Sequence, residues 1–331
     1  MASEAICSRH CMPEGRKSQN GGAVGLLTGS SPHGITASDD SDEMSESFSL
    51  TAQTLIARRA LRYRQAPHLR IRSEAEALAF LNDVGLCLLF SARDVELPTL
   101  WGAIHGGDRE WTEDRDDEAL GWTWEWKDTL AVAGRVLYGK YLRKKPVFIA
   151  LDLVPHFYAL SGNYGEETDY LEEYREGKLS EEARRVYEAL LTHGALPTSR
   201  LRREAGLAGH QAAPRFERAL TELQMGFKIV KVGISDANRW KYCYVYDLFL
   251  RRFPEQVAAA RAINSTQAMR TILCRYLATV IAATPEQVTR LFGWETWRLE
   301  RIVTRLVAEG IVRAGVLIEG LQGGHLLLAE A

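Results

Sequence analysis

The apolar positions of the chain fall into stretches with helical spacing, interrupted by short runs with the spacing of strands. That pattern predicts a helix over Thr51–Gln65 and a second from Ser73 through Leu81, opened by a Ser73/Glu76 capping box. Val84–Phe90 is almost continuously apolar and reads as a strand buried on both faces. Leu97–His105 predicts a short helix with Pro98 in its first turn. Beyond an acidic loop, Trp122, Trp124 and Trp126 alternate with other residues. Val136–Leu142 follows, then a strand over Pro146–Leu153 and a short helix over Pro155–Leu160.

From Ser180 the pattern sharpens. Ser180 caps a helix whose apolar stripe is Ala183, Val186, Tyr187, Leu190 and Leu191. A second helix over Ser199–Ala205 leads through the turn Gly206–Gly209 to a third, from about Gln211 to Gln224, which buries Phe216, Leu220 and Leu223. Strands over Phe227–Ile234 and Arg239–Tyr246 then form a hairpin. Helix, helix, turn, helix and hairpin is the winged-helix arrangement. The order returns in a helix over Thr266–Val280, one opened by the Thr284/Gln287 capping box, one over Glu295–Glu309 ended by Gly310, and a hairpin of Ile311–Glu319 with His325–Leu328. The expected fold class is mainly α with small β-hairpins (α+β). Its units are tandem winged helix-turn-helix modules at 179–252 and 262–331, preceded by an N-terminal region at 50–178.

Composition narrows the classes. Residues 1–48 are rich in Gly and Ser, poor in large apolar residues, and close on Asp39, Asp40, Asp42 and Glu43. Such a segment cannot offset its ordering entropy, so it is expected to be a disordered tail. Its Cys7, His10 and Cys11 lack a fourth metal ligand, and the 5 cysteines of the chain show no paired spacing. Neither a disulfide framework nor a metal site is expected, and a reducing, cytoplasmic setting is. The apolar runs are too short for a membrane span. Nucleotide-cradling loops, HExxH and GxSxG are absent, so no small-molecule cofactor is expected. His105 and His156 stand without partners at metal spacing.

The net charge of −2 hides a division along the chain. Residues 1–50 and 51–180 each net −4, residues 181–252 net +5 and residues 253–331 net +1. In the basic block, Gln211, Arg215 and Arg218 recur at i, i+4, i+7, opposite the Phe216/Leu220/Leu223 stripe. That is the face on which a helix-turn-helix protein reads the major groove, where Arg pairs with guanine and Gln with adenine. Arg200, Arg202 and Arg203 on the second helix, with Lys228, Lys231, Arg239 and Lys241 on the hairpin, supply charges for phosphates. Double-stranded DNA is the expected partner, and a protein-docking face is the alternative. Trp240, Tyr242, Tyr244 and Tyr246 form a same-side ladder that either stacks on bases or packs on a neighbouring unit. The three tryptophans at 122–126 either line a pocket for a flipped base or belong to the core.

Seven segments carry a family resemblance: LRYRQ at 61–65, DVGLCLLF at 83–90, LPTLW at 97–101, WTWEWKD at 122–128, FYALSGNY at 157–164, LRREAGL at 201–207 and RWKYCYVYD at 239–247. Together they resemble bacterial winged-helix proteins related to the AlkZ/YcaQ-type DNA glycosylases. The resemblance implies a third winged helix in the N-terminal part and a concave basic channel for duplex DNA, hence a nucleoid location. It also implies excision of alkylated or cross-linked bases through a Gln-x-Gln or Gln-x-Asp motif that positions water. On the matching strand, Val84–Phe90, the same-face pair is Cys87 and Leu89, which cannot orient a water. The catalytic residues are therefore unassigned, with Asp83, Asp94 and Asp152 near strand ends as candidate substitutes. Three functions remain open: damage recognition or regulation by DNA binding, glycosylase activity through a displaced carboxylate, and protein scaffolding. If the acidic tail competes with DNA for the basic face, deleting residues 1–48 tightens binding at low salt.

Overall fold

The computed structural model describes residues 50–107, 117–237 and 241–329. The expected tail, with Cys7, His10 and Cys11, lies outside the described residues, as do Arg239 and Trp240. Helix α1 (Ala52–Arg62) opens on Thr51, whose side chain accepts from the Thr54 N–H. Helix α2 (Glu74–Val84) is capped by Ser73, while the Glu76 carboxylate accepts from the Arg72 N–H. It runs three residues past the expected end and stops at Gly85, where φ is +74°. The strand expected over Val84–Phe90 therefore contracts to β1 (Leu86–Leu88). Thr99 caps α3 (Leu100–His105), which leaves Pro98 ahead of the helix rather than in its first turn.

The tryptophan segment is helical. Asp117 accepts from the N–H groups of Ala119 and Leu120 and starts α4 (Glu118–Val132). Helical period places Trp122 on Trp126, with ring centroids 5.5 Å apart and planes 7° from parallel. Trp124 points elsewhere, against Phe90. Strands β2 (Val136–Leu142) and β3 (Lys145–Ala150) then join β1 in an antiparallel sheet of order β1–β3–β2.

After α5 (Val154–Leu160) and α6 (Asp169–Arg175), a second group repeats the order. It comprises α7 (Glu181–His193), β4 (Leu196–Pro197), α8 (Thr198–Glu204), α9 (Ala213–Met225), β5 (Ile229–Ser235) and β6 (Cys243–Leu248). Its sheet runs β4–β6–β5. Helices α10 (Phe249–Arg252) and α11 (Pro254–Ala260) lead to a third group: α12 (Ser265–Val280), β7 (Ala282–Ala283), α13 (Pro285–Phe292), α14 (Thr296–Ala308), β8 (Val312–Val316) and β9 (His325–Leu328). Again the order is first–third–second, β7–β9–β8. The predicted mixture of helices with small antiparallel sheets is thus what the described residues form.

Burial explains why the groups hold together. Leu86 and Leu88 enter one apolar cluster with Leu137, Phe227, Phe249, Tyr276 and Leu306, so this core passes from the first group into the third. Cys87 and Leu89, on the other side of the strand, enter a second cluster with Phe80, Trp101 and Trp126. Both faces of β1 are covered, which accounts for its unbroken apolar sequence. Val186, Leu190, Phe216, Leu220 and Leu223 form the core of the second group.

Polar braces reinforce the same joints. Arg59 donates from Nε to the Val280 carbonyl (2.9 Å), from Nη2 to that of Ala282 (2.7 Å) and from Nη1 to Glu96 (3.0 Å). The hydroxyl of Thr279 donates to the Val84 carbonyl at 2.7 Å, and Arg275 to that of Asn82 at 2.8 Å. The last carbonyls of α2 would otherwise lack partners, so a neighbouring group supplies them.

Candidate nucleic-acid interface

Helix α9 turns its apolar stripe, Phe216, Leu220 and Leu223, into the core and leaves Arg215 and Arg218 exposed on the opposite side. Arg215 keeps a 3.2 Å contact to Glu182 but its side chain remains 54% exposed. Gln211 is also exposed, yet it is not on α9: Pro214 sits in the helix's first turn, and Gln211 belongs to the 3-10 turn His210–Ala212 before it. The expected i, i+4, i+7 register is therefore broken between Gln211 and Arg215.

The other basic residues separate by depth. Arg200 and Arg203 are exposed on α8, Arg200 lying 3.4 Å from Glu204. Arg202 donates to the carbonyls of Leu207 (3.0 Å) and Gly209 (2.9 Å), so its guanidinium spans the turn between α8 and α9. Lys228 does not join the surface set. It is 4% exposed, with its ammonium 2.7 Å from Asn163 Oδ1 and 3.0 Å from Glu173. A buried cation so paired holds a loop rather than a phosphate. Lys231 is half-buried over the rings of Tyr138 (4.6 Å) and Tyr244 (3.7 Å). Lys241 is exposed, and Arg239 lies outside the described residues.

The two aromatic motifs meet at one place. Tyr242, Tyr244 and Tyr246 form the predicted ladder, with ring spacings of 5.6 and 6.4 Å. Against it stand Trp124 from α4 and Tyr138 from β2, and in their midst lies Lys127, whose side chain is 0% exposed. Its ammonium donates to Asp128 Oδ1 (2.5 Å), Tyr244 OH (2.7 Å) and Tyr242 OH (3.0 Å). Among the described residues four rings lie within 6 Å of the charge, at 5.0, 5.8, 5.6 and 5.1 Å. Tyr242 also donates to Asp128 Oδ2 at 2.7 Å. Burial, with the neighbouring Tyr138 and Asp128, pushes the Tyr244 phenol well above its ordinary range. These rings are occupied by the chain's own lysine, so the ladder packs on the neighbouring group. Sequence reading passed over Lys127 and Asp128; the available signal was a lysine inside a tryptophan-rich apolar helix.

The candidate carboxylates have structural partners. Asp83 pairs with Arg62 at 2.5 Å and Asp152 with Arg275 at 2.6 Å, and both arginines also donate to carbonyls at the end of α2. Asp94 is exposed in a loop at φ +62°. His105 lies 3.6 Å from Asp117, and burial lowers the pKa of His156. Among the described residues no group of three His, Cys, Asp or Glu side chains is placed to hold a metal ion. No described helix is long and apolar enough to cross a membrane.

A further basic face is masked in the sequence by the apolar stripe of the same helix. Helix α14 exposes Arg301 and Arg305 beside Trp297, which is 58% exposed, while Leu299, Ile302 and Leu306 face inward. It occupies in the third group the place α9 holds in the second.

Comparison with known proteins matches residues 71–293 to the family described as AlkZ related. Among solved structures, the DNA glycosylase AlkZ of Streptomyces sahachiroi superposes with a TM-score of 0.51 at 16% identity, covering 86% of this chain and 71% of that one. The likeness is one of fold. No curated protein matches the sequence significantly.

Proposed function

The chain belongs to the AlkZ-related family, and from that membership and its exposed basic helix faces we propose that it binds double-stranded DNA and acts in damage recognition or repair. The three repeated groups are winged helices on this reading, with limits near 50–178, 179–252 and 262–331. The thrice-repeated helix–strand–helix–helix–strand–strand order and the common strand order support it. Their third helices are α4, α9 and α14. Packing buries Trp126 and Lys127 of α4, so α9 and α14 are the ones left to meet a duplex.

The observation that carries the reading is the exposed Arg215/Arg218 face of α9, turned away from its core stripe, together with the exposed Arg200 and Arg203 of α8. Lys241 is exposed as well, while Arg202, Lys228 and Lys231 serve the fold. Recognition without base excision is favoured by the segment at β1, where Cys87 and Leu89, the residue just past the strand, are both buried among apolar side chains. Asp83 and Asp152, held by arginines, are braces on this reading. The test is competition between alkylated and unmodified duplexes for the protein, followed by an abasic-site assay. Expected are binding to duplex, tighter to the damaged one, and no abasic sites. Lack of affinity for every duplex at low salt rejects DNA binding, and base release rejects the non-catalytic reading.

A further inference from the structure

The hairpin joining β2 to β3 turns through two residues, Arg143 and Lys144, with Leu142 paired to Lys145. Both turn residues have positive φ, 47° and 59°. Positive φ at both central positions is the signature of the type I′ turn, which Asn-Gly or Asp-Gly occupies at least cost. Long β-carbon-bearing side chains in this conformation keep backbone strain that a commoner turn sequence would relieve. Strain of that kind concentrates where the side chains themselves are used.

Charge points the same way. Lys140, Arg143, Lys144 and Lys145 place four cations within six residues and no acid among them. Lys144 is exposed, and Lys140 and Lys145 are half-exposed. Among the described residues none of these three lysines makes an ion pair. Arg143 donates to the Asp94 carbonyl at 3.2 Å, which ties the turn to a loop whose preceding residue, Arg93, is exposed. The Glu96 carboxylate of that loop is already taken by Arg59 and Tyr63. A charge balance over 51–180 conceals the cluster, because the acidic stretch around 108–128 cancels it.

We propose that the β2–β3 turn is a further duplex-DNA contact, in which Arg143, Lys144 and Lys145 donate to phosphate oxygens along a groove. This rests on the DNA-binding reading above. Shape selects the partner. Paired strands lie about 4.8 Å apart, so a two-stranded tip with its side chains fits a major groove about 12 Å wide and meets phosphates on both flanks.

The test substitutes Arg143→Asn together with Lys144→Gly, which supplies the preferred turn and removes two charges. Thermal melting and duplex binding are then measured over 50–300 mM salt. The melting temperature should hold or rise by about 2 °C, because the turn is relieved. The slope of log K against log salt should flatten by about 1.8, and affinity at 0.1 M salt should fall tenfold or more. A single Lys144→Gln variant keeps the backbone as it is and should flatten the slope by about 0.9. If the wild type binds duplex and both variants match it in slope and affinity, the proposal is overturned while DNA binding stands. If the wild type binds no duplex at 50 mM salt, both readings fall.

Discussion

Replacing Lys127 tests the joint between the first two groups most severely. Lys127→Met keeps the length of the stem and removes an ammonium that donates to Asp128, Tyr242 and Tyr244 from a site of 0% exposure. Asp128, 14% exposed, retains the Tyr242 hydroxyl but loses its cation. Breaking a buried pair by removing one partner costs about 3–5 kcal/mol. Residual exposure of Asp128 favours the lower end, about 3 kcal/mol. For a structured region of this size that is a fall in melting temperature of about 6 °C. Urea unfolding followed by tryptophan fluorescence measures it, since Trp124 and Trp126 report on the same helix. Adding Asp128→Asn to Lys127→Met should cost less than the sum of the single changes, because the stranded carboxylate is neutralised. The loss should change little between 0.1 and 0.5 M salt, because buried charges are poorly screened. A loss below about 1 kcal/mol, or strict additivity, refutes this account of the cluster.

Three further outcomes follow from the same packing. Lys228→Ala should destabilise by about 3 kcal/mol, read by urea unfolding, while leaving the salt dependence of duplex binding unchanged, because its charge is spent on Asn163 and Glu173. Gly85→Ala should cost about 2–4 kcal/mol in the same assay, since φ is +74° and a β-carbon would stand 2.7 Å from Arg275 Cγ and 2.8 Å from Leu153 Cδ1. Burial raises the Tyr63, Tyr141 and Tyr244 phenols, so the folded state keeps protons the unfolded chain gives up; stability monitored by circular dichroism should decline as pH rises above 10.0, the ordinary phenol value.

Much of the second and third groups was legible because local rules and global packing agree there. Phe216, Leu220 and Leu223 have helical spacing and are buried as that spacing requires, and the Thr284/Gln287 box opens α13. The first group was harder. Three tryptophans at alternate positions satisfy a strand pattern and, at i, i+4, a helix pattern, and the Asp117 cap decides for the helix. The apolar run around Leu86 does not show where α2 stops; Gly85 does, by taking φ +74° at the helix end. Depth was the least legible property of the basic residues. Lys228 and Arg218 contribute equally to a charge count, yet one is buried against Glu173 and the other faces solvent. Arg202 looked like a phosphate ligand and braces a turn instead. Periodicity reports which face of an element is apolar, and it is silent on whether another element covers the polar face.

The central claim is that the exposed face of α9 meets duplex DNA. Its most direct measurement is the salt slope of duplex affinity, by fluorescence anisotropy, for the wild type and for Arg215→Ala/Arg218→Ala. Both side chains point away from the core, so folding should survive within about 0.5 kcal/mol. The variant slope should be shallower than the wild type's by up to about 1.8, with weaker binding at every salt concentration. Equal slopes and equal affinities would contradict the account.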